Sequence, residues 1–341
     1  LVVAVSSCHA RAGAEFCFPS LYLNILRTSL DCTSAPRTSD CSSVNQPHVP
    51  VMADEVVSYL SPVRGQTLLD MTFGAGGHTK HPVAHSLAQE MAKKYSGKLI
   101  PLFGKFSEVP QLLMAHGVHF NSFDGILFDF GCSSMQFDVA GRGFAVSKNS
   151  FLDMRMNQNS DSPTAADILA NADENELYKI FKVYGEEKKS KQIARAIIEA
   201  RYCLKKIQTT QDLGNLVCSA TGSDYYEDKL QRQVHRATKV FQALRIFVND
   251  ELNEIDFGMV IADKYLKIGG TLVTLSFHSL EDTIVKRHIR GNVLESSANP
   301  LPLKYVSSSL CLKHVILPSP TEVEQNPRSR SAKLRAAVKI Q

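Results

Sequence analysis

The chain has 341 residues, 44% hydrophobic and 21% charged, with a net charge of +4. That balance fits one large or two ordinary soluble domains. Nothing approaches the roughly 18 consecutive apolar residues of a membrane-spanning helix, which argues against an integral membrane protein. The mild basic excess permits a polyanionic partner without requiring one. Eight cysteines occur with no CxxC pair, so neither a zinc site nor a disulfide framework is expected, and the usage fits a reducing compartment.

Residues 1–46 carry eight Ser, Arg11, Arg27 and Arg37, no Lys, and short apolar patches such as "LYLNIL". This composition is that of a leader, read here as a mitochondrial transit segment bound for the matrix, although Glu15, Asp31 and Asp40 dilute it. From "HVPVMADEVVSYL" onward the pattern is α/β. "TLLDMTF", "FDGILFDFG" and "GGTLVTLSFHS" are continuous apolar runs, as expected of strands buried on both faces of a mostly parallel sheet. "KLIPLFG" reads as one more strand. The stretch 150–235 is polar and helical, with capping signals at "SPTAADIL" and "NADENELYKIF", and reads as an inserted all-helical domain. The α/β domain then has a first part over 47–149 and a second over 236–341, ending in a basic tail. "VFQALRIFVNDEL" places Val240, Phe241, Leu244, Phe247, Val248 and Leu252 on one helical face, expected to pack back on the sheet.

Three places carry chemistry. "DMTFGAGGHT" follows a strand and opens a helix, where glycines let a ligand approach free backbone N–H groups. Its G-x-G-G spacing departs from the dinucleotide fingerprint and disfavours a nicotinamide-dependent oxidoreductase. Asp70 and His78 flank the loop as groups able to orient a zwitterion. Asp129 ends a central strand of "ILFDFG", where doubly wound sheets bind ligands, and competes with a plain turn-forming role. "SFHSLED" sets Ser276, His278 and Ser279 after the third strand, at the same sheet edge; a lone His there is more often a hydrogen-bonded structural residue.

These strings, with "RGF", "LDMRM", "YGEEKKSKQIARAIIEAR", "FQALRIFVNDELNEI", "SFHSLEDTIVKRHI" and "NPRSRSAKLRAA", occur in an order that resembles the bacterial small-subunit ribosomal RNA cytosine N4-methyltransferases over about residues 46–341. With its leader the chain resembles the mitochondrial branch of that family. The resemblance implies an α/β class I methyltransferase fold, Rossmann-like with a mostly parallel sheet, S-adenosylmethionine as donor and the exocyclic amine of a cytidine as acceptor. It implies cofactor roles for Gly76, Gly77, His78, Phe106, Asp129 and Gln136. Asp129 gains a second, catalytic role beside the attacking amine. Because the cytosine N4 lone pair is delocalised, positioning and hydrogen bonding to its protons should dominate, and no metal or nucleophile is required. Cys132 reads as a packed strand-end residue.

The partners implied are small-subunit rRNA or the assembling small subunit, with an accessory assembly factor and without a membrane. Segment 186–206 holds seven basic residues against three acidic, and Lys188, Lys191 and Arg195 share one face, as a phosphate-tracking stripe would. The tail adds Arg328, Arg330, Lys333, Arg335 and Lys339 in the same sense. The target base must leave its stack to react.

Two departures from the family pattern stand out. Between Gly77 and "KLIPLFG" there is room for about one helix, so the family's second strand and its terminal acid, the ribose ligand, are expected to be deleted after Lys80. The sheet would then be open and S-adenosylmethionine bound weakly. An impaired RNA-binding or ribosome-assembly factor is the alternative function on that ground. In "RGFAVSKNSFLDMRMNQ", Asn149, Ser150 and Asn157 stand where the family carries acids or a glycine turn.

Overall fold

The computed structural model describes residues 2–6, 50–73, 93, 99–131, 139–158, 161–203, 206–228, 233–290 and 310–340. They fall into two compact units, one of residues 1–131, 254–294 and 302–341, the other of 132–253 and 295–301.

The first unit is built on a seven-stranded sheet. Its strands are β1 (Val2–Ser6), β2 (Leu68–Phe73), β3 (Leu99–Phe103), β4 (Phe123–Asp129), β7 (Leu266–Ser276), β8 (Leu310–Ile316) and β9 (Lys333–Lys339), in the order β3-β1-β2-β4-β7-β9-β8. The pairs from β3 to β7 are parallel, and β9 is antiparallel to both β7 and β8. The apolar runs of the sequence become the central strands because both sheet faces are covered. On one face, helix α1 (Ala53–Leu60) brings Val56 and Leu60 against Leu68, Leu127, Val273 and Leu334. On the other, Phe128 meets Phe106 edge-on at 5.5 Å and stacks on Phe130 at 5.0 Å. Gly258 of helix α8 (Glu251–Tyr265) lies there, and a side chain at that position would meet the Phe128 ring at 2.9 Å. Helix α2 (Val109–Ala115) follows β3, and α9 (Ser279–Arg290) follows β7.

One expectation is corrected at the sheet's centre. The gap between β2 and β3 is not open: Val2–Ser6 fills it, parallel to both neighbours, with Val2 opposite Leu68 and Leu99 and Ser6 opposite Phe73 and Phe103. Two parallel strands that lost the strand between them would each present an unpaired edge, and an apolar segment of the same chain satisfies both. The front segment read as a leader thus enters the fold at residues 2–6. Its remaining residues through 49 lie outside the described ones.

The second unit holds helices α3 (Ala165–Asn171), α4 (Glu174–Val183), α5 (Ser190–Tyr202), α6 (Thr210–Thr221) and α7 (Thr238–Asn249), with a short hairpin of β5 (Tyr225–Glu227) and β6 (Gln233–His235). Both capping signals hold: Thr164 and Asp173 accept from the N–H groups of Asp167 and Glu176, whose side chains reach back. The unit is wider than 150–235. Val240, Phe241 and Leu244 of α7 pack with Leu177, Phe181, Ile193 and Ile197, so this helix belongs to the helical core and not to the sheet. The helix stops at Asp250, which is left-handed (φ 53°), before α8 begins. Asn249 also ties the "LDMRM" loop down: its Oδ1 accepts from Met156 N at 2.6 Å and its Nδ2 donates to Met154 O at 2.8 Å. Gly143 of "RGF" (φ 72°) underlies the loop, where a side chain would stand 2.4 Å from Phe151 O.

If β1 occupies the slot, Ala4→Pro removes a ladder donor from an interior strand and should lower unfolding stability by about 2–3 kcal/mol in urea titrations. Unchanged stability would place residues 2–6 outside the sheet.

Candidate active site

Acids gather at the carboxyl ends of β2 and β4 and beyond the end of β7. Asp70 is buried on β2, and its Oδ1 accepts from Thr72 N at 2.8 Å and Thr72 Oγ1 at 3.2 Å. Thr72 Oγ1 in turn accepts from Asp129 N at 2.7 Å, which links the β2 and β4 ends. Asp129 is the last residue of β4 and sits in register with Leu275 of β7. The residue is partly open, but its Oδ1 is closed off from solvent and makes no hydrogen bond among the described residues. Burial, then the neighbouring charges of Asp70 and Glu281, push the Asp129 carboxyl up from 3.8 to about 7.

Glu281 is fully buried at the head of α9. Its Oε2 accepts from Phe277 N at 2.7 Å and His278 N at 3.3 Å, and its Oε1 lies 2.9 Å from His278 Nε2, short but poorly aligned for a hydrogen bond. Glu281 N donates to His278 Nδ1 at 3.4 Å. His278 is thus a structural partner of Glu281 through its backbone N–H and its ring. Gly131 (φ 98°) closes the strand-end turn, and a side chain there would stand 3.7 Å from Glu281 Oε1.

Of the cofactor residues expected from sequence, Asp129 is at this edge. Phe106 is buried in the aromatic cluster with Phe128 and Phe130. Gly76, Gly77, His78 and Gln136, with Cys132, lie outside the described residues. Sequence reasoning missed Glu281, although an acid three residues after His278, at the start of a helix, is a capping signal.

The expected RNA contacts divide. Lys188, Lys191 and Arg195 are all exposed at the start and on the outer face of α5, while Ile193 and Ile197 point inward. Arg195 is partly committed, since its Nε donates to Glu199 Oε1 at 2.8 Å on the open surface. Arg328 and Arg330 are exposed on the turn Pro327–Ser331. Lys333, Arg335 and Lys339 are corrected to structural roles. Arg335 binds Asp282 through Nε and Nη2 at 2.6 and 3.1 Å, and Lys333 joins them at 3.2 Å. Burial raises the Asp282 carboxyl, but these cations outweigh it and hold the group below its ordinary range. Lys339 Nζ donates to Asn121 Oδ1 at 3.0 Å and to the carbonyls of Asp263 and Leu266. β9 lies between β7 and β8, so the charges that it buries need partners.

A profile of the MraW methylase family matches residues 45–340. A Drosophila melanogaster protein named probable methyltransferase-like protein 15 homolog is 51% identical, over 92% of this chain and 95% of its own length. The human protein named 12S rRNA N(4)-cytidine methyltransferase METTL15 is 44% identical, over 88% of this chain and 84% of its own. Its 348 aligned positions exceed the residues that 88% of a 341-residue chain supplies, so the relative carries residues that this chain lacks. A Culex quinquefasciatus protein named putative receptor-type tyrosine-protein phosphatase mosPTP-1 is 54% identical over 86% of this chain, which spans only 22% of that longer protein.

A carboxyl that keeps its proton longer folded than unfolded costs stability as pH rises from 3.8 to about 7, because the unfolded chain then binds fewer protons. Asp129→Asn should therefore stabilise the protein by roughly 2–4 kcal/mol at pH 8 and by little at pH 4 in paired urea titrations. Equal effects at both pH values would mean that Asp129 is not a retained acid.

Proposed function

The chain belongs to the MraW methylase family, and on that footing we propose that it transfers a methyl group from S-adenosylmethionine to N4 of a cytidine in small-subunit rRNA. The observation that carries the reading is the acid set at the strand ends. Asp129, raised by burial and then by Asp70 and Glu281, and with an Oδ1 unbonded among the described residues, suits a cationic ligand and an N–H donor together. When bound, S-adenosylmethionine supplies an activated methyl group on a positively charged sulfur. Asp129 would face that charge and hold the cytosine amine by its N–H groups. Asp70, fixed by Thr72, holds the approach negative. Gly76, Gly77, His78 and Gln136 would cradle the rest of the cofactor, and Phe106 would back it through the aromatic cluster. Cytosine N4 takes the methyl group, and the proton it must then shed passes to an Asp129 carboxylate oxygen. No side chain needs to form a covalent bond with the substrate.

The substrate reading rests on the human relative's name and on the exposed cations. Lys188, Lys191 and Arg195 on one unit, and Arg328 and Arg330 on the other, would track phosphates. The composition of the front segment supports a mitochondrial matrix location. The partner is the rRNA itself or the assembling small subunit, with an accessory assembly factor to present the base. Cleavage of residues 1–46 on import would strip β1 from the sheet, so the mass of the mature chain distinguishes a removed leader from a retained strand.

Asp129→Ala should lower methyl transfer more than about tenfold, or roughly 1.4 kcal/mol of barrier, with the circular dichroism unchanged. Turnover within that factor would remove Asp129 from the reaction. Replacing Lys188, Lys191 and Arg195 with Ala should reduce the salt slope of rRNA binding by about 2 without altering cofactor affinity, at roughly 0.7–0.9 per lost phosphate contact. An unchanged slope would reject the stripe.

The ribose end of the pocket has its own test. β1 ends in Ser6 at the sheet edge where an acid would bind the ribose hydroxyls. Charge-assisted hydrogen bonds contribute roughly 1.5–3 kcal/mol each, so Ser6→Asp should tighten S-adenosylmethionine at least about tenfold by calorimetry. No gain would mean that this strand end does not face the ribose.

A further inference from the structure

We propose that the helical unit carries a protein-docking pocket between α3, α4 and α7, which takes the apolar face of an arginine-bearing amphipathic segment of a partner protein. It stands apart from the reaction assigned above and does not depend on it. The pocket encloses about 690 Å³, within the span of roughly 300–1,000 Å³ that ligand sites occupy. Ile168 and Ile180 are its buried walls, with Ala172 and Val183 half-buried beside them. Tyr184, which follows α4, and Phe247 of α7 line it as a tilted pair, 6.1 Å between ring centroids and 41° between planes. Phe247 is 43% exposed, whereas Val240, Phe241 and Leu244 of the same helix are buried in the unit's core. An aromatic ring left open beside an apolar hollow is the usual mark of a surface that something covers.

Charge selects the occupant. Asp167 and Glu176 line the pocket against a single lining cation, Lys179. The hydroxyl and the N–H of Thr164 hold the Asp167 carboxyl below its ordinary range, so that charge persists. Arg155 also feels Asp167, but its Nε is engaged by Asp153 at 2.6 Å. Asp250 adds a negative charge near Tyr184, whose phenol is pushed up by burial and then by that carboxylate. The last turns of α4 and α7 reach the pocket at Val183 and Phe247, and helix carboxyl ends carry partial negative charge. RNA is the wrong ligand for such a place, because its phosphates would meet carboxylates and helix ends. The exposed Lys188 and Lys191 stand at the start of α5, which contributes no lining residue among the described ones. A guanidinium suits the rim, stacking on the aromatic pair while it faces the carboxylates. Apolar side chains one helical turn away would then fill the hollow against Ile168 and Ile180.

The test uses the full chain and needs no turnover. The sequence has no tryptophan, so Phe247→Trp places a single fluorophore at the pocket. Its emission is followed as short peptides are added that carry leucine at helical spacing with arginine beside it. A saturable change is expected with these peptides and none with the same peptides carrying glutamate for arginine. Asp167→Asn combined with Glu176→Gln keeps an oxygen acceptor at each helix cap but removes both charges, and should weaken binding about fivefold. Phe247→Ala, read by calorimetry, should weaken it about tenfold. Circular dichroism checks the fold of each variant, and if Phe247→Trp does not fold, calorimetry of the unaltered chain with the two peptide sets decides. Failure of every arginine peptide to bind the unaltered chain would overturn the proposal, as would equal binding of the glutamate peptides or affinity unmoved in the double variant. A response to an unstructured RNA oligonucleotide instead of the peptides would make the pocket a nucleic-acid site. A response to the chain's own concentration would make it a contact between two copies. Either result also overturns the assignment.

Discussion

Everything at the working edge of the sheet depends on carboxylates held close together out of water. Asp129 has no hydrogen bond at Oδ1 among the described residues and feels two further acids, an arrangement that costs stability and that packing alone does not require. The rest of the first unit keeps it in place. β4 is fixed between β2 and β7, Thr72 anchors the backbone of Asp129, and the N–H groups ahead of α9 hold Glu281. Strain of this kind persists where a ligand relieves it, and a positively charged donor is such a ligand.

The sheet also explains how the chain tolerates a missing segment. A central parallel strand cannot simply be absent, since two edges of backbone groups would be left unsatisfied. Val2–Ser6 supplies the hydrogen bonds. Its last residue is Ser6 and not an acid, so the fold is completed without the acidic strand end expected of a ribose ligand. Structural repair and ligand recognition thus separate within a single strand.

Much of this was legible in the sequence, for physical reasons that also mark its limits. Continuous apolar runs identified β2, β4 and β7, and Thr164 and Asp173 announced their helices, because these signals are local. Asp129 was visible because a strand's carboxyl end is a fixed place in this architecture. The partner of α7 was not visible: an amphipathic face says that something is covered, and Val240, Phe241 and Leu244 are covered by helices rather than by the sheet. Arg335 and Lys339 looked like free cations in the tail because their partners, Asp282 and the Asp263 and Leu266 carbonyls, are distant in sequence. β1 was hidden for a related reason, since four apolar residues and a serine carry no sign of the slot they fill.

In the proposed reaction the acid cluster exchanges a proton for the charge of the methyl donor. Calorimetric titration with S-adenosylmethionine near pH 6, in buffers of different ionisation enthalpy, measures that exchange directly. Most of one proton should be released on binding, and none in Asp129→Asn. Binding without proton release in the unaltered chain, or with the same release in Asp129→Asn, would contradict it.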